Sequence, residues 1–294
     1  MPLVQLTDFA LLRFSGADAR DFLQGQLTCD VIALQPGRGS YGGYCTPKGR
    51  LLASFLLVNE GETCAMVLPA ALAEVIRKRL TMYVLRSKVS ISAPPAVLLG
   101  AHGDDGSKAL GPLQIAAPDS LQQAVVAGER CAIRLPGNRL MIMVPDTDSL
   151  PALAADDGGW QRQDIEAGIP FILPATQEQF VPQMVNFDLI GALSYSKGCY
   201  PGQEIVARTH YLGRLKQRMY RVSAPAVLAP GDKLYCAGLG DQAAGMIVNA
   251  AAVSDGRYEA LAVLQTANAG SATYHAGSLQ GPALLIESLP YTVS

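Results

Sequence analysis

The sequence predicts an α+β protein of two or three domains that finishes in an all-β barrel or sandwich. Three observations carry this. A helical period of three and four runs from Pro69 to Ser87, where Leu72, Val75, Ile76, Leu80 and Tyr83 recur. Strand-like apolar runs cut by Pro and Gly occupy 41–58, 89–99 and 130–144. After Lys216 the texture changes to short apolar runs punctuated by Pro230, Gly231, Gly238, Gly240, Gly245, Gly256 and Gly270, with no helical period. A length of 294 residues exceeds one ordinary core.

Taken in order, SGADARDFLQGQLT at 15–28 reads as a short helix with Ser15 at its N-cap, Asp18 three residues on, and Phe22, Leu23 and Leu27 on one face. The stretch 41–58 reads as a hairpin whose turn is Thr46 to Arg50. Pro69 then takes a first helical position, where its missing N–H costs nothing. Strands over 89–99 and 130–144 flank a Gly- and Asp-rich loop around His102 to Ser107. WQRQDIEAG at 160–168 is a short helix stopped by Gly168 and Pro170. A further helix starts at Pro201 or Gly202 and runs until Gly213 caps it.

Composition excludes several function classes. With 49% hydrophobic and 16% charged residues the chain buries a large core and is not disordered. Lys and Arg number 23 against 25 acids, for a net charge of −2 and a pI near 5.9, which excludes a globally basic nucleic-acid binder. Mean hydropathy is +0.20, yet the longest apolar run, 51–58, is far short of the roughly 20 residues a membrane span needs. The opening residues carry Asp8 and no basic stretch, so they do not read as a secretory signal, and cytoplasm is the expected compartment. Six dispersed cysteines, at 29, 45, 64, 131, 199 and 236, predict free thiols.

Most standard chemistry is missing. There is no C-x-x-C pair, the three histidines lack zinc-type spacing, and no metal site is expected. Gly238-Leu-Gly240 lacks the rest of a dinucleotide fingerprint and reads as a turn. The unusual stretch is KGCYPGQEIVARTHYLGRLKQRMYR, 197–221. Cys199 stands just before a helix, where the positive helix end and the Lys197 ammonium would each favour a thiolate. The residues alone leave two readings open, a reactive or ligating thiol and a small buried apolar side chain. The same stretch holds six basic residues, Lys197, Arg208, Arg214, Lys216, Arg218 and Arg221, against the single acid Glu204. That charge suits an anionic partner, and it equally suits a solvated helix face.

At these residues the sequence resembles the YgfZ family of folate-binding, iron–sulfur-maintenance proteins, relatives of the glycine-cleavage T-protein. The family signature K-G-C-Y-x-G-Q-E is complete from Lys197 to Glu204. The likeness continues through FLQGQLTCDV at 22–31, YCTPKGRLLASF at 44–55, DIEAGIPFILPAT from 164 and FVPQMVNFDLIGALSYSKGCY up to 200.

The resemblance implies a three-part cloverleaf around a central folate-sized hole: one α+β lobe from 1–40 with 115–216, a second inserted over 41–114, and a C-terminal β-barrel over 217–294. It implies tetrahydrofolate, or a one-carbon derivative, as cofactor. Phe9 and Trp160 are the implied aromatic contacts and Glu166 the carboxylate for the aminopyrimidine edge, with Tyr200, Gln203 and Arg208 in the same binding set. Cys199 and Lys197 are the implied catalytic pair. The T-protein carries an Asp pair after the Gly of its hairpin, whereas Gly49 is followed here by Arg50, Leu51, Leu52, Ala53 and Ser54. Without that carboxylate nothing evident orients a folate amine for aminomethyl transfer. The implied function is therefore a folate-binding accessory to iron–sulfur cluster assembly or repair and to cluster-dependent tRNA thiolation. Its implied partners are folate and iron–sulfur proteins such as tRNA-thiolating radical enzymes. The alternative is a folate-dependent aminomethyl or methyl transferase, and direct tRNA contact would need an exposed basic surface.

Overall fold

LLASFLLVN, residues Leu51–Asn59, is buried at every position, which is why it reads as a continuous apolar run without alternation. The computed structural model describes residues 3–102, 107–146, 150, 153–154, 156–211, 213, 215–240, 242–253, 256–269 and 272–293. Residues 103–106 of the loop expected around His102, and Arg214 and Gly270, lie outside the described residues.

Contacts divide the chain into two compact units. The first comprises 1–42, 54–157 and 196–200, and the second comprises 43–53, 158–195 and 201–294. The strands before residue 150 are β1 Val4–Gln5, β2 Phe9–Ser15, β3 Arg38–Cys45, β4 Leu51–Asn59, β5 Cys64–Pro69, β6 Ser90–Ser92, β7 Val97–His102, β8 Ala124–Ala127, β9 Arg130–Leu135 and β10 Arg139–Val144. One sheet runs β1-β7-β10-β9-β8 and the other β3-β4-β5-β2-β6. Residues 41–114, the inserted lobe that the resemblance implied, contribute strands to both sheets. Leu99, Ala101, Ala132, Leu140 and Ile142 form the buried face of the first sheet, closed by Leu110, Leu113 and Ile115.

The first helix is shorter than its sequence suggests. Ser15 ends β2, paired with Ser90, and α1 spans only Ala19–Gln24. Asp18 precedes it without making a side-chain cap; its carboxylate instead accepts the Lys88 amide at 2.7 Å. Strand pairing has displaced the expected N-cap. The second helix, α2, is Ala70–Thr81, so Pro69 is its N-cap residue and the last residue of β5. Its core stripe is Leu72, Ala73, Ile76 and Leu80, whereas Val75 and Tyr83, expected on that stripe, are exposed.

In the second unit α3, Gly159–Glu166, stops as expected, with Gly168 in the left-handed region at φ +67°. A fourth helix, α4, runs from Gln203 to Tyr211. The expected barrel is closed, in the order β11-β14-β13-β12-β15-β16. Its strands are β11 Gln217–Ala224, β12 Lys233–Cys236, β13 Gly245–Ala252, β14 Tyr258–Gln265, β15 Tyr274–Ala276 and β16 Ala283–Glu287. Pairing of β11 with both β14 and β16 closes the ring, so Val222, Leu234, Ile247, Ala260, Ala262 and Leu264 share one interior. Gly238 and Gly240 both have positive φ in a turn after β12. No helix among the described residues is long and apolar enough to cross a membrane.

Candidate functional site

Lys197 is an interior residue, 7% exposed. Its Nζ donates to the carbonyl oxygens of Gln24 at 2.6 Å, Leu27 at 2.6 Å and Cys29 at 2.9 Å, and lies 5.2 Å from the centre of the buried Tyr200 ring. An ammonium has three N–H donors, and here three carbonyls of the turn leaving α1 take them. Burial pushes its pKa down to about 8, against the opposing pull of Cys29 and Asp30. These bonds tie Lys197 to the backbone at 24–29, and Lys197 acts as a peg for the loop. Cys199, two residues on, is exposed, while the other five cysteines are buried, and all six are free thiols. Cys199 is thus not the small buried side chain of the second reading.

The next turn explains two glycines. Gly202 has φ +82°, and a Cβ there would lie 2.5 Å from the Thr46 carbonyl oxygen and 2.6 Å from Gly49 Cα. Gly49, at φ +71°, would carry a Cβ 3.2 Å from the Gly202 oxygen. The hairpin tip TPKGR and the PGQE turn thus meet backbone to backbone. Gly202→Ala is expected to cost about 2 kcal/mol or more, from the left-handed backbone and the clash together. A fall in the urea midpoint with an unchanged slope would show it.

In the second unit Trp160 is 1% exposed, on an α3 that lies against β13 and β14. Glu166 is half-buried, its Oε1 accepting from Arg162 Nε at 3.0 Å. Six residues apart on a helix, the two side chains point about 120° apart, so α3 does not bring the expected aromatic and carboxylate to one face. Gln203 opens α4 half-buried and Arg208 is exposed on it. Phe9 starts β2, half-buried and paired with Pro69. Ala53 and Ser54, at the hairpin position where a catalytic Asp would be sought, are both buried.

A polar anchor escaped the sequence reading. Arg218 grips Asp188 through two bonds of 2.6 and 2.9 Å and donates to the Gln183 carbonyl at 2.9 Å. Asn186 exchanges bonds with the Met219 backbone, and Gln183 Nε2 donates to the Val206 carbonyl at 2.7 Å. The signal was available as Gln183, Asn186 and Asp188 set in the apolar run FVPQMVNFDLI. This anchor and the ion pair from Arg221 to Glu259, 2.8 Å, also pair two of the six cations counted over 197–221. With Lys197 inside, Arg208 and Lys216 remain its exposed basic residues among those described.

Over its full length the chain is 33% identical to the tRNA-modifying protein YgfZ of Sodalis glossinidius (strain morsitans), spanning 94% of that protein. It is 31% identical to the protein of the same name from Yersinia enterocolitica, spanning 93%. The chain belongs to the YgfZ family. No protein-family profile matches it. Among solved structures, aminomethyltransferase T of the glycine cleavage system from Bartonella henselae aligns with a TM-score of 0.78 over 98% of this chain and 85% of that one, at 17% identity. The YgfZ chain thus has the aminomethyltransferase fold, as its resemblance implied. Two stretches that carried the YgfZ resemblance, 22–31 and 197–200, prove to be the two halves of one hydrogen-bonded structure around Lys197 Nζ.

Proposed function

We propose that this chain is a cytoplasmic tetrahydrofolate-binding accessory protein that supports assembly or repair of iron–sulfur clusters, and through them tRNA thiolation, with Cys199 as its working thiol. The observation that carries this reading is the complete K-G-C-Y-P-G-Q-E segment, which offers the chain's one exposed thiol on a pegged loop. The name of its relatives, tRNA-modifying protein, supports the tRNA end of the reading.

The residues present fit the chemistry of a folate. Glu166 keeps a second carboxylate oxygen beyond the one Arg162 holds, an acceptor for a pterin N–H, and the exposed Arg208 suits the glutamate tail. Gln203 would complete the set, and Trp160 would support it through α3. When bound, a tetrahydrofolate supplies one-carbon or reducing chemistry. What this chain supplies is a thiol open to solvent and a loop that holds it in place. The fold favours a second reading, a folate-dependent one-carbon transferase, but the apolar and hydroxyl side chains of Ala53 and Ser54 leave that reaction without its carboxylate.

Calorimetric titration with tetrahydrofolate or folinic acid is expected to give a binding heat, weakened about tenfold by Glu166→Gln or Arg208→Ala. Trp160→Ala is the wrong variant here, since emptying so buried a site costs about 3–5 kcal/mol of stability. In cells Cys199→Ser should bind folate normally yet fail to support iron–sulfur enzymes and tRNA thiolation. No heat at millimolar ligand removes the folate half of the reading, and full support by Cys199→Ser removes the thiol half. Transfer of an aminomethyl carbon above background by the purified protein would favour the second reading.

A further inference from the structure

The end of α2 and the turn that follows leave apolar side chains in solvent where the sequence expects a buried stripe. Leu85 is 88% exposed, and Val75, Met82 and Tyr83 are exposed with it. Tyr83, Leu85, Arg86 and Ser87 line a depression of about 580 Å³. Leu85 also has φ +44°, a left-handed conformation that costs a bulky residue energy and that asparagine or glycine would take more readily.

This turn is held in place. The Tyr83 amide donates to the Leu80 carbonyl at 3.0 Å and that of Ser87 to Val84 at 2.8 Å. The Lys88 amide donates to the Asp18 carboxylate at 2.7 Å, and the Asp18 amide to the Lys88 carbonyl at 3.3 Å. A strained leucine fixed outward on a bonded turn is a pre-ordered apolar contact, which loses little entropy on binding.

The surrounding charge is mainly positive, with the Asp18 carboxylate set against the Lys88 amide. Lys78, Arg86 and Lys88 are exposed, and the sole acid between 70 and 90 is Glu74, which Arg77 holds at 2.9 Å and Lys78 approaches at 3.3 Å. On a chain of net charge −2 this is a local basic rim around an apolar centre. We propose that Val75–Lys88 is a docking surface for an acidic protein segment carrying an apolar anchor residue. The cations complement its acids and set its approach, and the depression beside Leu85 takes the anchor. This surface does not depend on folate or on Cys199.

The test uses the full chain and a fluorescein-labelled peptide of repeating Glu-Glu-Leu-Leu, with a Lys-Lys-Leu-Leu peptide and phosphatidylglycerol–phosphatidylcholine vesicles as the other arms. The acidic peptide is expected to bind, more weakly in high salt, and the basic one not. Leu85→Gly should weaken binding about tenfold or more while the melting temperature holds or rises, because glycine accepts the left-handed turn. Arg86→Glu with Lys88→Glu should weaken it comparably. The proposal is overturned if no peptide binds, if the basic peptide binds equally, if Leu85→Gly binds like wild type, or if vesicles bind in place of the peptide.

Discussion

Iodoacetamide added to the native protein is expected to modify one thiol, Cys199, and to reach all six only after denaturation. The five other sulfurs are buried, and alkylation there requires opening of a core strand or loop. Burial also pushes Cys29 and Cys131 up to about 12 and Cys64 up to about 11, and raises Cys45 further, so these thiols stay protonated and poorly nucleophilic at any ordinary pH. Mass spectrometry of intact protein should show a single adduct. Two or more rapid native adducts would contradict the burial pattern. The same shifts have an alkaline consequence. Between the ordinary thiol value near 9 and the raised folded values, the native state binds more protons than the unfolded one, so the stability these thiols contribute is complete below pH 9 and is lost as pH rises above it.

Lys197→Ala is expected to cost about 3 kcal/mol, because it takes the donor from three carbonyl oxygens, two of them in buried bonds, even after the ammonium's own desolvation is credited back. The loop at 196–200 should then loosen, and Cys199 labelling should change together with the urea midpoint. A variant as stable as wild type would show that the three bonds contribute nothing net. Lys197→Met, which keeps the stem, isolates the charge. The folded pKa near 8 lies below the ordinary lysine value near 10.5, so the unfolded state binds more protons in that window. Wild type should accordingly gain stability on Lys197→Met as pH rises from about 8 to 10.5, and show no such gain below 8. A peg of this kind gives Lys197 a role in loop order besides the one expected toward the thiol, and Lys197→Arg should fail to restore that order because a guanidinium fork does not fit a three-carbonyl cup.

The hairpin at 41–58, the stop of α3 at Gly168 and the β-texture after Lys216 were legible because Gly, Pro and periodicity act locally. The strands β2 and β5 were not. FALLRFS and CAMVLP are short apolar runs whose period does not separate strand from buried helix, and pairing with distant residues decided them. The role of Lys197 was hidden for the same reason, since its acceptors lie 168 to 173 residues away. Charge counting could not resolve 197–221 because Arg218 and Arg221 are paired with Asp188 and Glu259, partners no local window contains. Cys199 and Gly202 were legible as a motif, though not the physical reason for the glycine, which needs the hairpin tip against it.

The Lys197 peg also sets an order for folding during synthesis. The first unit takes in 196–200, so it lacks its last piece until that segment has left the ribosome. Leu27 is made 170 residues before the lysine that bonds its carbonyl. At 5–20 residues per second this is a wait of roughly 10 to 35 s, during which the turn after α1 holds three inward carbonyls with no cation to meet them. A nascent chain arrested before Lys197 emerges should be more protease-sensitive at 24–29 than one arrested after it, and the cysteine-bearing loop would then be the closing stitch of the amino-terminal half.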